Sequence, residues 1–124
     1  MLSRMANKKI LICDDDEGII DVLELILEDT GYTIIPELNS MNANALILST
    51  KPDLVILDLW MPVISGDQIL RTLRNSTDTE SLPVIVMSAS RDGAEIAAAA
   101  GASAYIAKPF DYDNLLAVID RLID

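Results

Sequence analysis

The chain has 124 residues, which is the size of one domain. Its formal net charge of -11 argues against direct nucleic-acid binding. With one cysteine and no histidine, it has neither a disulfide framework nor His-based acid–base catalysis, and Cys13 is interpreted as a core residue. No apolar run reaches membrane-spanning length, so we expect a cytoplasmic protein with no membrane insertion. Residues 1–7 are expected to form a poorly ordered leader.

Short aliphatic runs alternate with segments of helical periodicity along the chain. Strands are predicted at residues 9–13, 32–38, 54–57, 83–87 and 105–107. Helices are predicted at residues 17–30, at residues 41–50, after the loop at residues 59–66, at residues 92–100 and at residues 111–123. Gly31 and Gly101 stand where the first and fourth helices are expected to stop, and Asp111 is the expected N-cap of the last helix.

The alternation of strands and helices predicts the fold class. Parallel strands joined by helical crossovers give an α/β, doubly wound sheet with helices on both faces. We expect a five-stranded, flavodoxin-like (βα)5 sheet in the strand order 2-1-3-4-5. The second strand then lies at an edge, where Pro36 is tolerated. Residues 1–124 are expected to form a single domain.

Four of the five predicted strands end on a side chain that can bind a phosphoryl group or a cation. These residues are Asp14 and Asp15 after the first strand, Asp58 after the third, Ser88 after the fourth and Lys108 after the fifth. Because ligands bind at the carboxyl ends of parallel strands, which share one edge of the sheet, we expect these side chains to form one site.

Three carboxylates in one pocket require either protons or a cation. Two such charges about 4 Å apart repel by roughly 4 kcal/mol at an effective dielectric of about 20. Oxygen ligands without His or Cys favour Mg²⁺, with Mn²⁺ as an alternative ion. A carboxylate nucleophile, a metal, a lysine and a hydroxyl are the groups that phosphoryl transfer uses.

Four ordered segments carry a family resemblance. They read I-L-I-C-D-D-D, D-L-V-I-L-D-L-W-M-P-V-I-S-G, V-I-V-M-S-A and G-A-S-A-Y-I-A-K-P-F. Together they resemble the receiver domain of two-component response regulators, and the resemblance covers residues 9–124. It implies a phosphoprotein of phosphorelay signal transduction, with a histidine kinase or phosphotransfer protein as the phosphoryl donor.

The resemblance implies which residues carry the phosphoryl chemistry. Asp58 would be the phosphoacceptor and Asp15 the direct metal ligand. Asp14, Asp58 and the backbone carbonyl of Trp60 would complete the Mg²⁺ site. The protein would not be an enzyme beyond slow, Mg²⁺-dependent autophosphorylation and autodephosphorylation.

The resemblance also implies the residues that bind the phosphoryl group and switch the domain. Ser88 would be the switch hydroxyl, Tyr105 the switch aromatic and Lys108 the phosphoryl-binding lysine. The Lys108–Pro109 peptide bond would be cis.

Two features favour a subtype of receiver. Receivers that dimerise through the fourth helix, fifth strand and fifth helix carry acidic residues before the strand-5 aromatic and an Arg in the last helix. Here residues 102–104 read A-S-A and residues 116–118 read L-A-V. We therefore expect a stand-alone, chemotaxis-type receiver that signals by docking to a downstream protein whose identity stays open. A receiver that is a fragment of a longer regulator with an output domain is the alternative.

Two further functions are alternatives to a phosphoryl-accepting receiver. An aspartate-nucleophile phosphatase of the haloacid-dehalogenase type also ends its first strand in D-x-D, but it would have no need of Asp58. A pseudo-receiver scaffold would lack the phosphoacceptor, the lysine or the acidic pair, and all of them are present. Asp16 and Glu17 are interpreted as first-turn helix acids, Gly66 as a turn residue, and Trp60 as a partly exposed side chain over the acidic pocket.

Overall fold

The computed structural model of the protein describes residues 8–123, so the expected leader at residues 1–7 lies outside the described residues. The strands are β1 (Lys9–Cys13), β2 (Thr33–Glu37), β3 (Leu54–Asp58), β4 (Val84–Ser88) and β5 (Ala104–Ala107). The helices are α1 (Glu17–Leu27), α2 (Ala43–Thr50), α3 (Gly66–Arg74), α4 (Gly93–Ala100) and α5 (Tyr112–Ile123). No helix in the described range is long and apolar enough to cross a membrane.

The five strands form one parallel sheet in the order β2-β1-β3-β4-β5, which confirms the predicted topology. β2 is an edge strand, and its Pro36 pairs in register with Ile12 of β1. A proline is tolerated there because one side of an edge strand donates no hydrogen bond to the sheet. The predicted α/β, doubly wound fold is therefore correct.

Helices cover both faces of the sheet, because alternate residues of each central strand pack in opposite directions. On one face, Leu11, Val55 and Val86 pack with residues of α2, α3 and α4. On the other face, Ile12 and Ile56 pack with residues of α1 and α5. The strands β3 and β4 are buried along their whole length, which fixes the position of the residues at their carboxyl ends.

The first two helices differ from prediction at their ends. α1 stops at Leu27 rather than residue 30, because Thr30 donates both its N–H (3.2 Å) and its hydroxyl (2.7 Å) to the Leu27 carbonyl and tightens the turn. Gly31, with φ of 90°, follows this turn rather than the helix itself. The second helix is preceded by a 3₁₀ turn at Ser40–Asn42, so α2 begins two residues later than predicted.

The expected caps of the last two helices are confirmed. Gly101 ends α4 in the left-handed region, with φ of 97°. A carboxylate oxygen of Asp111 accepts a hydrogen bond from the Asn114 N–H at 2.9 Å, as an N-cap residue does. These caps set the direction in which the chain enters and leaves β5, and so they position the residue that follows it.

Candidate functional site

The strand register brings the chemistry-bearing residues to the carboxyl edge of the sheet. Cys13 pairs with Leu57, so Asp14 and Asp58 each follow this pair by one residue on neighbouring strands. Asp58 pairs with Met87 of β4, and Ser88 pairs with Ala107 of β5, immediately before Lys108. Residues from four strands therefore meet at one edge, as the strand-end pattern predicts.

Lys108 is the cation of the site. Its ammonium group donates to a carboxylate oxygen of Asp58 at 2.9 Å and to one of Asp14 at 3.0 Å. The Lys108–Pro109 peptide bond is cis, as the resemblance implied. Asp58 and Asp14 are almost completely buried, so the ion pairs are shielded from solvent.

The two carboxylates that follow β1 differ in their surroundings. Both oxygens of Asp14 are engaged, one by Lys108 and the other by the backbone N–H of Asp16 at 2.9 Å. Asp15 is exposed, and no residue in the range 8–123 donates a hydrogen bond to its carboxylate. One carboxylate oxygen from each of Asp14, Asp15 and Asp58 lies within 4.8 Å of the others. Asp15 thus has the greatest freedom to bind a ligand.

The protonation behaviour of the site follows from burial and crowding. Burial raises the pKa of the Asp58 carboxyl, the hydrogen bond from Lys108 opposes the rise, and the charges of Asp14 and Asp15 add to it. Burial alone would lower the pKa of Lys108, but its hydrogen bonds to Asp58 and Asp14 outweigh this effect and raise it. One lysine therefore does not fully compensate the crowded carboxylates.

A chain of hydrogen bonds leads from the loop after β3 to the end of β4. The indole N–H of Trp60 donates to the Ser90 hydroxyl at 3.0 Å. The Ser90 and Ser88 hydroxyl oxygens are 2.8 Å apart, and the Ser90 N–H donates to the Ser88 hydroxyl at 3.0 Å. Trp60 is 52% exposed, in agreement with the expected partial exposure, whereas Ser88 is buried.

Tyr105 lies beside the carboxylate cluster rather than within it. Its hydroxyl donates to the backbone carbonyl of Ser88 at 3.0 Å. The same carbonyl accepts the Lys108 N–H at 2.9 Å. A Cβ at Gly93, the first residue of α4, would collide with the Tyr105 hydroxyl, so the ring occupies space that the glycine leaves open. Tyr105 therefore connects β4 to α4.

Gly66 supports the Asp58 backbone from the other side. Its N–H donates to the Leu59 carbonyl at 2.8 Å. A Cβ at this position would collide with the Asp58 carbonyl oxygen and would lie 3.0 Å from the Leu59 Cα. Any residue other than glycine would displace the end of β3, so Gly66 does more than form the turn that the sequence predicts.

Cys13 lies behind the site and takes no part in its chemistry. The side chain is fully buried, and its sulfur is 3.7 Å from that of Met61. Burial, followed by the charges of Glu37, Asp14, Asp58 and Asp15, raises the pKa of the thiol to about 12. The thiol stays protonated at neutral pH, and the prediction of a core cysteine is confirmed.

Two residues of the site were not singled out from the sequence. Ser90 follows Ser88 by two positions, and Gly93 was placed inside the predicted fourth helix. A second hydroxyl so close to a strand-end serine could have drawn attention to Ser90. No pattern in the sequence indicates that Gly93 faces Tyr105, because that contact depends on how α4 packs on β5.

Comparisons with known sequences give the family of the chain. A sequence profile of the response regulator receiver domain matches residues 10–120. The phosphate regulon transcriptional regulatory protein PhoB of Pseudomonas aeruginosa is 36% identical over 125 residues, covering 96% of this chain and 53% of the relative. Response regulator MprA of Mycobacterium ulcerans is 35% identical, covering 93% of this chain and 50% of the relative. The chain spans about half the length of these curated relatives.

Solved structures give the same assignment. The chemotaxis protein CheY4 of Vibrio cholerae superposes with a TM-score of 0.85 at 26% identity, over 94% of this chain and 99% of that chain. The receiver domain of a sensor histidine kinase of Pseudomonas aeruginosa, solved with a magnesium ion coordinated in the active-site cleft, superposes with a TM-score of 0.87 at 26% identity. That match covers 95% of this chain and 98% of the other. The chain belongs to the receiver-domain family of response regulators.

Proposed function

We propose that the protein is a signalling receiver that accepts a phosphoryl group on Asp58. The observation that carries the proposal is the charge of the site. Asp14, Asp15 and Asp58 lie together, and among residues 8–123 a single ammonium group, that of Lys108, contacts two of them. When all four groups are ionised, three negative charges and one positive charge leave a net charge of about -2. A divalent cation would neutralise that charge, and an incoming, negatively charged phosphoryl group would then no longer be repelled.

The donor atoms of the site suit Mg²⁺, with Mn²⁺ as an alternative. The candidate ligands are oxygens, from Asp14, Asp15, Asp58 and the Trp60 carbonyl, and Mg²⁺ prefers oxygen ligands. Within residues 8–123 the Trp60 carbonyl accepts no hydrogen bond, and the Asp15 carboxylate is equally free. The magnesium ion in the receiver domain of the sensor histidine kinase supports this assignment. When bound, the ion would neutralise charge on the phosphoryl oxygens.

The reaction on Asp58 is a phosphoryl transfer. A carboxylate oxygen attacks the phosphorus of a phosphohistidine, an O–P bond forms as the P–N bond breaks, and the leaving imidazole takes a proton from water. Lys108 holds one oxygen of the transferred group and Ser88 donates a hydrogen bond to another. Slow attack by water then releases inorganic phosphate and restores the carboxylate. Slow reaction with small phosphodonors is the only other chemistry that we assign.

The output of the domain is a protein contact. A histidine kinase or phosphotransfer protein supplies the phosphoryl group, and the change at Ser88 reaches α4 through Tyr105. The net charge of -11 disfavours direct contact with nucleic acid, so the target is a protein. We place the chain in the cytoplasm as one receiver domain over residues 1–124. The alternative is a receiver with a DNA-binding output domain, since the name of one relative, the DNA-binding regulator RpaA of Synechocystis, includes that activity.

One assay separates the competing functions. The protein is incubated with acetyl phosphate and Mg²⁺, and bound and free phosphate are both measured. A receiver acquires one acid-stable, base-labile phosphoryl group on Asp58. A phosphatase of the haloacid-dehalogenase type turns over continuously, and a scaffold does neither. Comparing proteins that co-purify with the phosphorylated and the unphosphorylated form then identifies the docking partner.

A further inference from the structure

Ser90 occupies a junction between an exposed loop and the buried Ser88. Its hydroxyl oxygen is 3.0 Å from the Trp60 indole nitrogen and 2.8 Å from the Ser88 hydroxyl oxygen. Trp60 is 30 residues away in sequence, so the contact joins the loop after β3 to the loop after β4. The first of these loops follows Asp58, the last residue of β3, and the second follows the neighbouring strand β4.

The direction of two of these three hydrogen bonds follows from what the groups can donate. An indole N–H is only a donor, so Ser90 must accept from Trp60. The Ser90 N–H also donates to the Ser88 oxygen. The one undecided bond lies between the two hydroxyls, where either oxygen can be the donor. The pair therefore has two arrangements that differ in which hydroxyl gives its proton to the other.

Only one of these arrangements leaves the Ser88 proton available to a phosphoryl group on Asp58. If Ser88 donates to Ser90, its proton is withheld from the site. If Ser90 donates to Ser88, the Ser88 oxygen accepts both the N–H and the hydroxyl of Ser90, and its own proton is free for a phosphoryl oxygen. A charged acceptor binds a donor more strongly than a neutral hydroxyl does.

We infer that Ser90 is a positioning residue, which completes a chain of donors from Trp60 through Ser90 to Ser88 when a phosphoryl group is present. The inference rests on the proposed phosphorylation of Asp58. Each bond in such a chain polarises the next, so the phosphoryl charge strengthens the contact between Ser90 and the indole. The group at Asp58 thereby fixes an otherwise half-exposed Trp60 across the mouth of the site.

The indole proton itself gives a direct test. Trp60 is the only tryptophan, so ¹⁵N-labelled protein has a single indole N–H resonance. Its exchange with solvent is measured before and after beryllofluoride with Mg²⁺, and ¹⁹F NMR verifies that beryllofluoride is bound. We expect exchange to slow about fivefold in the wild type, as a strengthening of about 1 kcal/mol in the hydrogen bond gives.

Variants separate the hydroxyl of Ser90 from its bulk. Ser90→Ala removes the hydroxyl and should abolish the slowing, whereas Ser90→Thr keeps the oxygen and should restore it. Ser88→Ala interrupts the chain at its buried end and should match Ser90→Ala. Ser49→Ala is the control, because the Ser49 hydroxyl bonds the Leu46 carbonyl on α2, away from the site, and it should behave as the wild type.

Each outcome decides the inference. Equal slowing in Ser90→Ala and the wild type, or none in the wild type with beryllofluoride bound, overturns the role of Ser90. Labelling of Asp58 by acetyl phosphate is measured on the same wild-type sample. A labelled protein with an unresponsive indole contradicts only the donor chain. An unlabelled protein contradicts the proposed function.

Discussion

The two ends of the sheet use their polar side chains in different ways. At the amino end, charged and polar groups bond the backbone. The Lys9 ammonium donates to the Thr50 carbonyl at 2.6 Å, and Asp53 accepts the Lys9 N–H at 2.8 Å. Arg74 donates to the carbonyls of Gly101 and Leu82, both at 2.8 Å. At the carboxyl end, the Lys108 ammonium donates to the side chains of Asp14 and Asp58.

This difference separates groups that hold the fold from groups that are available for chemistry. A backbone carbonyl that accepts an arginine N–H already has its hydrogen bond, and so does the arginine. Neither group would be stabilised further by binding a ligand. Three carboxylates around one ammonium group are still in mutual repulsion, and a cation or a proton relieves it. We expect changes at the amino end to alter stability, and changes at the carboxyl end to alter ligand binding.

The largest contrast should come from two acids, Asp58 as the last residue of β3 and Asp53 as the residue before its first. Asp58→Asn removes the attacking oxygen and should abolish labelling by acetyl phosphate while the protein stays folded. Asp53→Asn, at the opposite end of the same strand, keeps an oxygen that accepts the Lys9 N–H and should label fully. Mass spectrometry of the intact proteins measures the extent of labelling of both variants. Full labelling of Asp58→Asn would refute the phosphoacceptor assignment.

The stabilisation of the protein by Mg²⁺ should depend on residues at the carboxyl end of the sheet. At a hundredfold excess over its Kd, a ligand adds about 2.7 kcal/mol to the free energy of unfolding. We expect this gain in the wild type and much less in Asp15→Asn, as measured by chemical denaturation. Asp16→Asn is the matched control, because Asp16 caps α1 by accepting the Gly18 N–H and Asn preserves that cap. An equal response in Asp15→Asn and the wild type would exclude Asp15 as a ligand.

Arg74→Met should lower stability without affecting labelling. Loss of the guanidinium leaves the Gly101 and Leu82 carbonyls without their donor, at a cost of about 2 kcal/mol. Arg71→Met, on the same helix, removes only an exposed i,i+4 pair with Asp67 and should cost about 0.5 kcal/mol at most. Denaturant midpoints compare the two. Impaired labelling in folded Arg74→Met would mean that the two ends of the sheet are coupled.

The pH dependence of stability should show the effect of the raised pKa of Asp58. Burial raises the pKa of Asp58, so in the metal-free protein the folded state binds more protons than the unfolded state between the ordinary value of 3.8 and the raised one. Its contribution to stability therefore falls as pH rises through that range. Asp58→Asn should be more stable than the wild type at neutral pH, and the difference should shrink as the pH falls toward 3.8. A difference that is constant with pH would contradict this origin.

The smallest expected effect is optical. Trp60 contacts the site through Ser90 and through its own backbone, so its fluorescence should change with Mg²⁺ and again with beryllofluoride. We expect its bulk to restrict the in-line approach of water to phosphorus, so Trp60→Ala should autodephosphorylate faster. Release of inorganic phosphate gives the rate. An unresponsive fluorescence titration and an unchanged rate would together show that Trp60 faces only solvent or a partner.

The sequence is sufficient to predict the topology, and which residues meet at one edge of the sheet, because both depend on local patterns. Each buried strand is a short aliphatic run, and each site residue follows such a run directly, as Asp58 follows Leu57. Parallel pairing then places all the strand ends at one edge. Predicting which edge of the sheet carries the site therefore requires no knowledge of side-chain packing.

The remaining features depend on contacts between distant segments. The end of α1 is set by the Thr30 hydroxyl, which competes for a helical carbonyl. Lys108 contacts Asp14 rather than the adjacent Asp15. This contact depends on the relative positions of the ends of β5 and β1, which no local sequence pattern predicts. The contact of Ser90 with Trp60 likewise joins two loops that are separate in sequence.

The contact between Gly66 and the Asp58 carbonyl has a consequence for mutational scanning. A methyl group at Gly66 would meet backbone rather than a flexible side chain, so the end of β3 would have to move. In a scan scored by signalling, substitutions at Gly66 and at Asp58 would look equally damaging. In a scan scored by cellular abundance, variants with substitutions at Gly66 would be depleted, whereas Asp58→Asn, which stays folded, would not. The comparison of the two scans, position by position, would therefore separate the residue that performs the chemistry from the one that keeps its scaffold in place.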